Sequence, residues 1–229
     1  MRLKTPIFRL KRAAKTLARA ENIPLHQALN HAATAEGFAS WSHLAAAHRA
    51  EAPAAALFRR MKPGELILFA ARPGHGKTML ALELAVEAAR AGWRSAFFTL
   101  EYTEAQTTDR LAEIAADAPR LVLVDASEGL TADRIVAHAG EKRAFIVIDY
   151  LQVMDQRRSD PDLSTQVRAL HDFARDTGAI VIAISQIARR FEANGDRMPS
   201  VEDIRLPNPV DLSLFARRCF LHDGVVAMA

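Results

Sequence analysis

The chain has 229 residues, of which 50% are hydrophobic and 25% charged, so it is long and apolar enough to bury a sizeable core. A single cysteine, Cys219, excludes a disulfide framework and fits a reducing cytoplasm. Every apolar run is shorter than the roughly 20 residues that cross a bilayer, so no membrane partner is expected. The net charge of +3 is uneven, because residues 1–20 hold seven basic side chains and no acid, and the remainder holds 23 basic and 27 acidic ones.

The first 50 residues have the pattern of three short helices. Thr5-Pro6 is a good start for a helix that Asn22-Ile23-Pro24 ends, and further helices are predicted near residues 25–36 and 41–49. Apolar anchors for a small bundle are Phe38, Trp41 and Leu44. We therefore expect residues 1–50 to form a separate helical unit.

One face of the first predicted helix is basic, with Arg12, Lys15 and Arg19 at helical spacing. Such a face can meet a phosphate backbone, so contact with nucleic acid is one interpretation. A solvated face on a packing or protein-contact module is the second. An organelle transit peptide is the third, although such peptides are serine-rich and the first serine here is Ser40.

A phosphate-binding motif opens the larger part of the chain. Residues 51–60, rich in alanine around Pro53, are predicted to link the helical unit to an α/β domain over residues 61–229. Residues 65–80 then read ELILFAARPGHGKTML: an apolar strand, a glycine loop, Gly-Lys-Thr and the start of an apolar-periodic helix. This order is typical of a P-loop, although Ala71 stands where the strict pattern has glycine.

The P-loop predicts where a triphosphate binds. Its backbone N–H groups converge on one point, and the helix N-terminus adds the positive end of its dipole. Lys77 is expected to contact the β- and γ-phosphates and Thr78 to ligate Mg²⁺. The residues predicted to bind the nucleotide are Arg72, Pro73, Gly74, His75, Gly76, Lys77, Thr78 and Met79.

Strand and helix patterns alternate after the P-loop, which favours a mostly parallel sheet with helices on both faces. Strands are predicted at residues 93–100, 121–124, 145–149, 179–185 and 217–223. Helices are predicted at about 103–117, 131–139 and 163–176. Residues 187–213 have the pattern of a long functional loop, and the tail 225–229 is apolar without recognisable chemistry.

Three of the predicted strands each end at, or just before, a side chain suited to nucleotide chemistry. Glu101 follows the second strand, Asp149 ends the fourth and Gln186 follows the fifth. The carboxyl ends of parallel strands meet at the edge where ligands bind. Asp149 has the position of a Walker B acid, which holds Mg²⁺. Gln186 is expected to sense the γ-phosphate or the attacking water; the alternative is a polar strand end without a role.

Six segments make the chain resemble the RecA-like ATPase domain of the DnaB family of replicative helicases. They are ELILFAARPGHGKT, FFTLEYTEAQ, LVLVDASEGLTADRI, FIVIDYLQVM, AISQIARR and PSVEDIR, and they follow the family's order over roughly residues 61–223. The resemblance implies an α/β, RecA-like P-loop fold with strands ordered 3-2-4-5-1 and the last strand beside the P-loop strand. The family also tolerates alanine at position 71.

The resemblance implies ATP and Mg²⁺ as ligands and hydrolysis as the activity. By matching position, Lys77 and Thr78 bind phosphate and metal, Glu101 activates water, Asp149 completes the metal shell and Gln186 senses the γ-phosphate. A carboxylate that polarises a water, beside a lysine and a metal, is the chemistry a hydrolysing P-loop needs. The implied partners are single-stranded DNA and either further copies in a ring or a replication-type protein.

The chain also departs from that family. Neither the collar domain nor the linker helix of DnaB-type helicases is recognisable, and residues 206–215, LPNPVDLSLF, are more apolar than the family's loop. The sequence stops soon after the sixth strand, before the hairpin that supplies a basic finger to a neighbour's ATP. Because such a finger is worth roughly 10³–10⁵ in rate, slow basal hydrolysis is expected.

Two classes of function therefore compete. The first is an ATPase that acts on DNA, as a helicase-like motor or an accessory factor. The second is a slow nucleotide-dependent switch that engages a protein partner through the basic unit or through residues 187–213. Single-stranded DNA should stimulate hydrolysis only in the first.

Overall fold

The computed structural model describes residues 5, 7–50, 53–140, 143–155, 160–188, 191, 198–205, 210–222 and 225–228. They divide into two compact units, Met1–Ala52 and Pro53–Ala229. The first unit is helical and the second is α/β.

Three helices form the first unit: α1 (Ile7–Ala20), α2 (Leu25–Ala35) and α3 (Trp41–Ala50). Their small core contains Leu10, Ala33, Phe38 and Leu44, with Trp41 packed against it, so the predicted anchors lie where they were expected. After α2 the chain turns through Gly37, whose φ of 87° is left-handed. The N–H groups of Gly37 and Phe38 donate to the last carbonyls of the helix, which is the Schellman arrangement.

Seven strands and six helices alternate through most of the second unit's described residues. The strands are β1 (Leu66–Ala71), β2 (Arg94–Thr99), β3 (Val122–Asp125), β4 (Ala144–Asp149), β5 (Ile180–Gln186), β6 (Arg217–His222) and β7 (Val225–Met228). The helices are α4 (Pro53–Phe58), α5 (Lys77–Arg90), α6 (Glu104–Ile114), α7 (Ala118–Leu121), α8 (Ala132–Ala139) and α9 (Leu163–Thr177).

The seven strands form one sheet in the order β3-β2-β4-β5-β1-β6-β7. Every pairing is parallel except that of β6 with β7. The predicted order of the first five strands, the place beside β1 of the strand predicted at residues 217–223 and the α/β, RecA-like class are confirmed. The expectation that residues 217–223 form the last strand is wrong, because residues 225–228 turn back and pair antiparallel with β6.

Both faces of the central strands β1, β4 and β5 are buried, which explains why these strands are nearly continuous apolar runs. In β1, Leu66 and Leu68 belong to the cluster that includes residues of α8 and α9. Ile67 and Phe69 belong to the opposite cluster, with residues of α4 and α5. The carboxyl ends of the strands are thereby held by packing on two sides.

Helix ends follow local signals, with two differences from the prediction. Thr131 caps α8, since its side chain accepts from the N–H of Arg134. The helix predicted over 103–117 ends at Ile114 because Ala115 is extended, and α7 begins afresh with Pro119 in its first turn. Residues 53–58, assigned to the linker, form α4, because Ala54 and Leu57 are one turn apart and both are buried. No helix among the described residues is long and apolar enough to cross a membrane.

Candidate nucleotide-binding site

The loop between β1 and α5 has the backbone of an anion cradle. Gly74 and Gly76 have φ values of 81° and 84°, a region that strains other residues. A Cβ added to either glycine would meet no atom within 4 Å, so both glycines border open space. Gly76 is the N-cap of α5 and offers no side-chain oxygen to the first turn. The first-turn N–H groups, which lack intrahelical partners, therefore suit an anion.

Lys77 and Glu101 form an ion pair across this edge of the sheet. Lys77 Nζ lies 3.0 Å from Glu101 Oε2, with 5% and 30% of the two side chains exposed. Glu101 follows β2, and its N–H donates to Thr99 Oγ1 at the end of that strand. The lysine and the acid, predicted from separate motifs, are therefore neighbours at the carboxyl ends of the strands.

Thr78 and Asp149 form a second, fully buried pair. Thr78 Oγ1 donates to Asp149 Oδ2 over 2.8 Å. Burial raises the pKa of Asp149 to about 6, against the opposing effects of Lys77 and the Thr78 hydrogen bond. Asp149 Oδ1 is buried and has no hydrogen-bond partner in the part of the chain that the structure describes.

Mg²⁺ fits this pair of side chains. It prefers carboxylate and hydroxyl oxygens, and Thr78 with Asp149 offers one of each. A buried carboxylate oxygen without a partner is a costly arrangement that a cation relieves. The residues predicted to ligate the metal are thus adjacent and chemically suited to it.

Gln186 ends β5, where it lies beside Ala71 at the end of β1. Its side chain is half-buried. Its backbone carbonyl accepts a hydrogen bond of 2.7 Å from the N–H of Arg205. Gln186 is therefore next to the P-loop strand and in direct contact with the following loop, while its role as a sensor stays a prediction.

Not every residue of the predicted loop set has its side chain in the cradle. The Met79 side chain packs against the apolar cluster around α5, so this residue can contribute only its backbone N–H to an anion at the first turn. Arg72 and His75 shape the loop, since the His75 N–H donates to the Arg72 carbonyl over 3.2 Å. Three arginines of the predicted loop, Arg189, Arg190 and Arg197, lie outside the described residues.

Sequence reasoning gave no role to Gln152, whose side chain contacts both Ser185 and Arg205 next to the site. Its Nε2 donates to Ser185 Oγ over 3.2 Å and to the carbonyl of Arg205 over 2.6 Å. The available signal was its place three residues after Asp149, in the quoted segment FIVIDYLQVM.

Three contacts to aromatic rings at the same edge also escaped prediction. His75 stacks on His222, with ring centroids 5.3 Å apart and planes 9° from parallel, and Phe191 meets His222 edge-on. The guanidinium of Arg110 lies over the ring of Tyr102, 4.1 Å from the ring centroid. Tyr102 directly follows Glu101 in the sequence. The two contacts of His222 join segments far apart in sequence, and Arg110 lies in α6 while Tyr102 precedes that helix, so no local pattern predicts the three contacts.

The strand order and the glycine loop between β1 and α5 define a RecA-like P-loop domain. The family model of the DnaB-like helicase C terminal domain matches residues 55–128 and 122–210. This chain therefore belongs to that family of helicase-type ATPases, as the quoted segments predicted.

Three curated relatives are each named replicative DNA helicase DnaB. The protein of Nostoc sp. is 31% identical over 179 residues, which cover 62% of this chain and 20% of the relative. The protein of Leifsonia xyli is 28% identical, over 63% of this chain and 40% of the relative. The protein of Haemophilus influenzae is 27% identical, over 69% of this chain and 43% of the relative. The matched region thus spans less than half the length of these relatives.

Two solved structures share the fold. A DnaB-like replicative helicase, described with its interactions with primase, aligns at a TM-score of 0.59 and 21% identity over 69% of this chain and 47% of its own. A solved ATPase domain aligns at a TM-score of 0.58 and 22% identity over 71% and 70%.

Proposed function

We propose that this chain binds ATP with Mg²⁺ and hydrolyses it, and that it acts with DNA as a helicase-like motor or an accessory factor. One observation carries the proposal: the Lys77–Glu101 and Thr78–Asp149 pairs meet beside the glycine loop, at 3.0 and 2.8 Å. Membership of the DnaB-like family supports it.

The residues of the site divide the chemistry among them. The loop amides and Lys77 bind the phosphates, while Thr78 and Asp149 hold the metal. When bound, Mg²⁺ neutralises phosphate charge and supports the in-line displacement. A phosphate oxygen competes with Glu101 for Lys77, and a carboxylate released from that ion pair is free to take a proton from the attacking water.

DNA is the proposed macromolecular partner, and the exposed face of α1 is the proposed contact. Arg12, Lys15 and Arg19 are exposed, whereas Leu10 and Ala14 on the other side of the helix are buried. A basic face of this kind suits a phosphate backbone. Assembly into a ring, or docking of a primase-like protein, belongs to the same proposal, since a similar solved helicase is described with primase.

Calorimetry and turnover test the proposal together. Mg-ATP should bind with measurable heat, and single-stranded DNA should stimulate its hydrolysis. Mass in solution, with and without ATP, shows whether copies assemble. A flat calorimetric trace with Mg-ATP would refute nucleotide binding at this site.

The competing function is a nucleotide-dependent switch that engages a protein. Its proposed surfaces are the basic helical unit and residues 187–213, and within the second of these Val210 and Leu212 pack against the core. Those side chains are occupied within the domain, which weakens the switch proposal. Hydrolysis that single-stranded DNA leaves unchanged would revive it.

A further inference from the structure

The segment of residues 198–205 is held against the end of β5 by a small set of contacts. Ile187 and Ile204 form an antiparallel bridge. On either side of it, the N–H of Ala188 donates to Asp203 and the N–H of Arg205 donates to Gln186, both over 2.7 Å. The segment is therefore attached at the strand end where the γ-phosphate is proposed to be sensed.

Segment 198–205 is also braced internally, so it can move as a piece. Asp203 is buried, and its Oδ2 accepts from the backbone N–H of Ser200 over 2.8 Å and from the Ser200 hydroxyl over 3.1 Å. A displacement at Arg205 is thus expected to carry Ser200 and the residues between them.

The Gln152 side chain connects segment 198–205 to the chain that follows β4, the strand that ends in the proposed metal ligand Asp149. Its Nε2 donates both to Arg205 O and to Ser185 Oγ, the residue before Gln186. Because a carbonyl can only accept, the amide nitrogen must face Arg205, which fixes the orientation of the amide. The chain from Gln152 back to Asp149 is only three residues long, and it begins at the buried end of β4.

The amide of Gln152 is only partly satisfied in this arrangement. Its Oε1 is buried and lacks a hydrogen-bond partner among the described residues. A buried amide oxygen without a donor favours any rearrangement that supplies one. Gln152 therefore has a close contact to segment 198–205 through its nitrogen, and its unsatisfied oxygen favours a new arrangement when the neighbouring strand ends shift.

We propose that Gln152 is a positioning residue that couples nucleotide binding to the placement of segment 198–205 and of the exposed Arg205 side chain. The proposal rests on the proposed nucleotide site and adds the route by which its state reaches the surface. It predicts that loss of the Gln152 amide separates nucleotide binding from the response of the segment.

A single fluorophore on Val201→Cys tests this coupling. Val201 is 37% exposed, so a probe there reports on the segment from the surface. The native Cys219 is 1% exposed, and burial raises its pKa to about 12, so it is not expected to react with the label. The full chain is titrated with Mg²⁺ and a non-hydrolysable ATP analogue, and calorimetry measures the Kd in parallel.

Gln152→Met keeps the length of the side chain and removes its donor. We expect this variant to bind the analogue with a Kd near the parental value while the nucleotide-induced signal at position 201 falls at least about twofold. Gln152→Glu, whose carboxylate faces the Arg205 carbonyl, should show the same separation. The matched control is Gln27→Met, the same change at an exposed site of the helical unit, which should leave both quantities unchanged.

A parental signal change in Gln152→Met would overturn the coupling, as would a labelled parent that binds the analogue without any signal. If Gln152→Met does not fold, Ser185→Ala removes one of the two acceptors and should weaken the response; an undiminished response there would also overturn it. Absence of calorimetric binding in the parent would instead refute the nucleotide site itself, which separates the two failures.

Discussion

Thr78 Oγ1 donates to Asp149 Oδ2 over 2.8 Å, although 71 residues separate the two in the sequence. Thr78 lies in the first turn of α5, just after the glycine loop, and Asp149 ends β4, two strands away from β1. This contact brings the two halves of the proposed metal site together, and it sets the expectations for the variants below.

Lys77→Ala should lower ATP turnover about 10²-fold or more, because it removes the cation proposed to contact the transferred phosphate. The matched control is Arg90→Ala, a basic residue at the other end of α5 whose ion pairs lie at the surface. Steady-state turnover with Mg-ATP is the measurement. Near-parental turnover in Lys77→Ala would contradict the P-loop assignment.

Glu101→Gln should retain nucleotide binding and lose about 10²–10⁴ in hydrolysis, since an amide cannot take the proton of the attacking water. Calorimetry and single-turnover kinetics separate the two effects. Glu104→Gln, three residues further along in the first turn of α6, is the control and should hydrolyse normally. A parental rate in Glu101→Gln would mean that a different base operates.

Asp149→Asn should stabilise the metal-free, nucleotide-free protein at neutral pH. The folded-state pKa of Asp149 is about 6 and its ordinary value is 3.8, so the folded state binds more protons between these values and stability falls as pH rises through them. The loss from this group is about 3 kcal/mol. The asparagine carries no charge and should remove this loss.

Urea unfolding in chelator, on both sides of that pH window, measures the effect. Asp109→Asn, an exposed acid on α6, is the control and should keep the parental pH dependence. An identical pH profile for Asp149→Asn and the parent would show that burial does not raise the pKa of Asp149. The same substitution should abolish Mg²⁺-dependent turnover.

Replacing Arg12, Lys15 and Arg19 by alanine should weaken binding to single-stranded DNA and make its salt dependence shallower. Loss of three phosphate contacts reduces the slope of log K against log salt by about 2. Replacing three exposed arginines of the other unit, Arg59, Arg120 and Arg168, controls for net charge. An unchanged slope in the α1 variant would move the DNA contact elsewhere.

Much of the site was predictable because its signals are local. The glycine loop, Lys77 and Thr78 are adjacent in sequence, and Asp149 directly ends an apolar run. Helix ends such as the N-cap Thr131 and the left-handed C-cap Gly178 also depend only on neighbours about a turn away. The pairing of these residues across the sheet required the strand order, which the family resemblance supplied.

What the sequence alone determined is the set of elements and the residues at their ends, since periodicity, glycines and caps act over a few residues. Only the tertiary structure decided contacts such as Gln152 with Arg205, 53 residues apart, and the stack of His75 on His222. It also decided that residues 225–228 form a strand, because this segment makes its strand hydrogen bonds with β6 only in the packed sheet. Such contacts depend on where the packed sheet brings distant segments, and no short-range pattern carries that information.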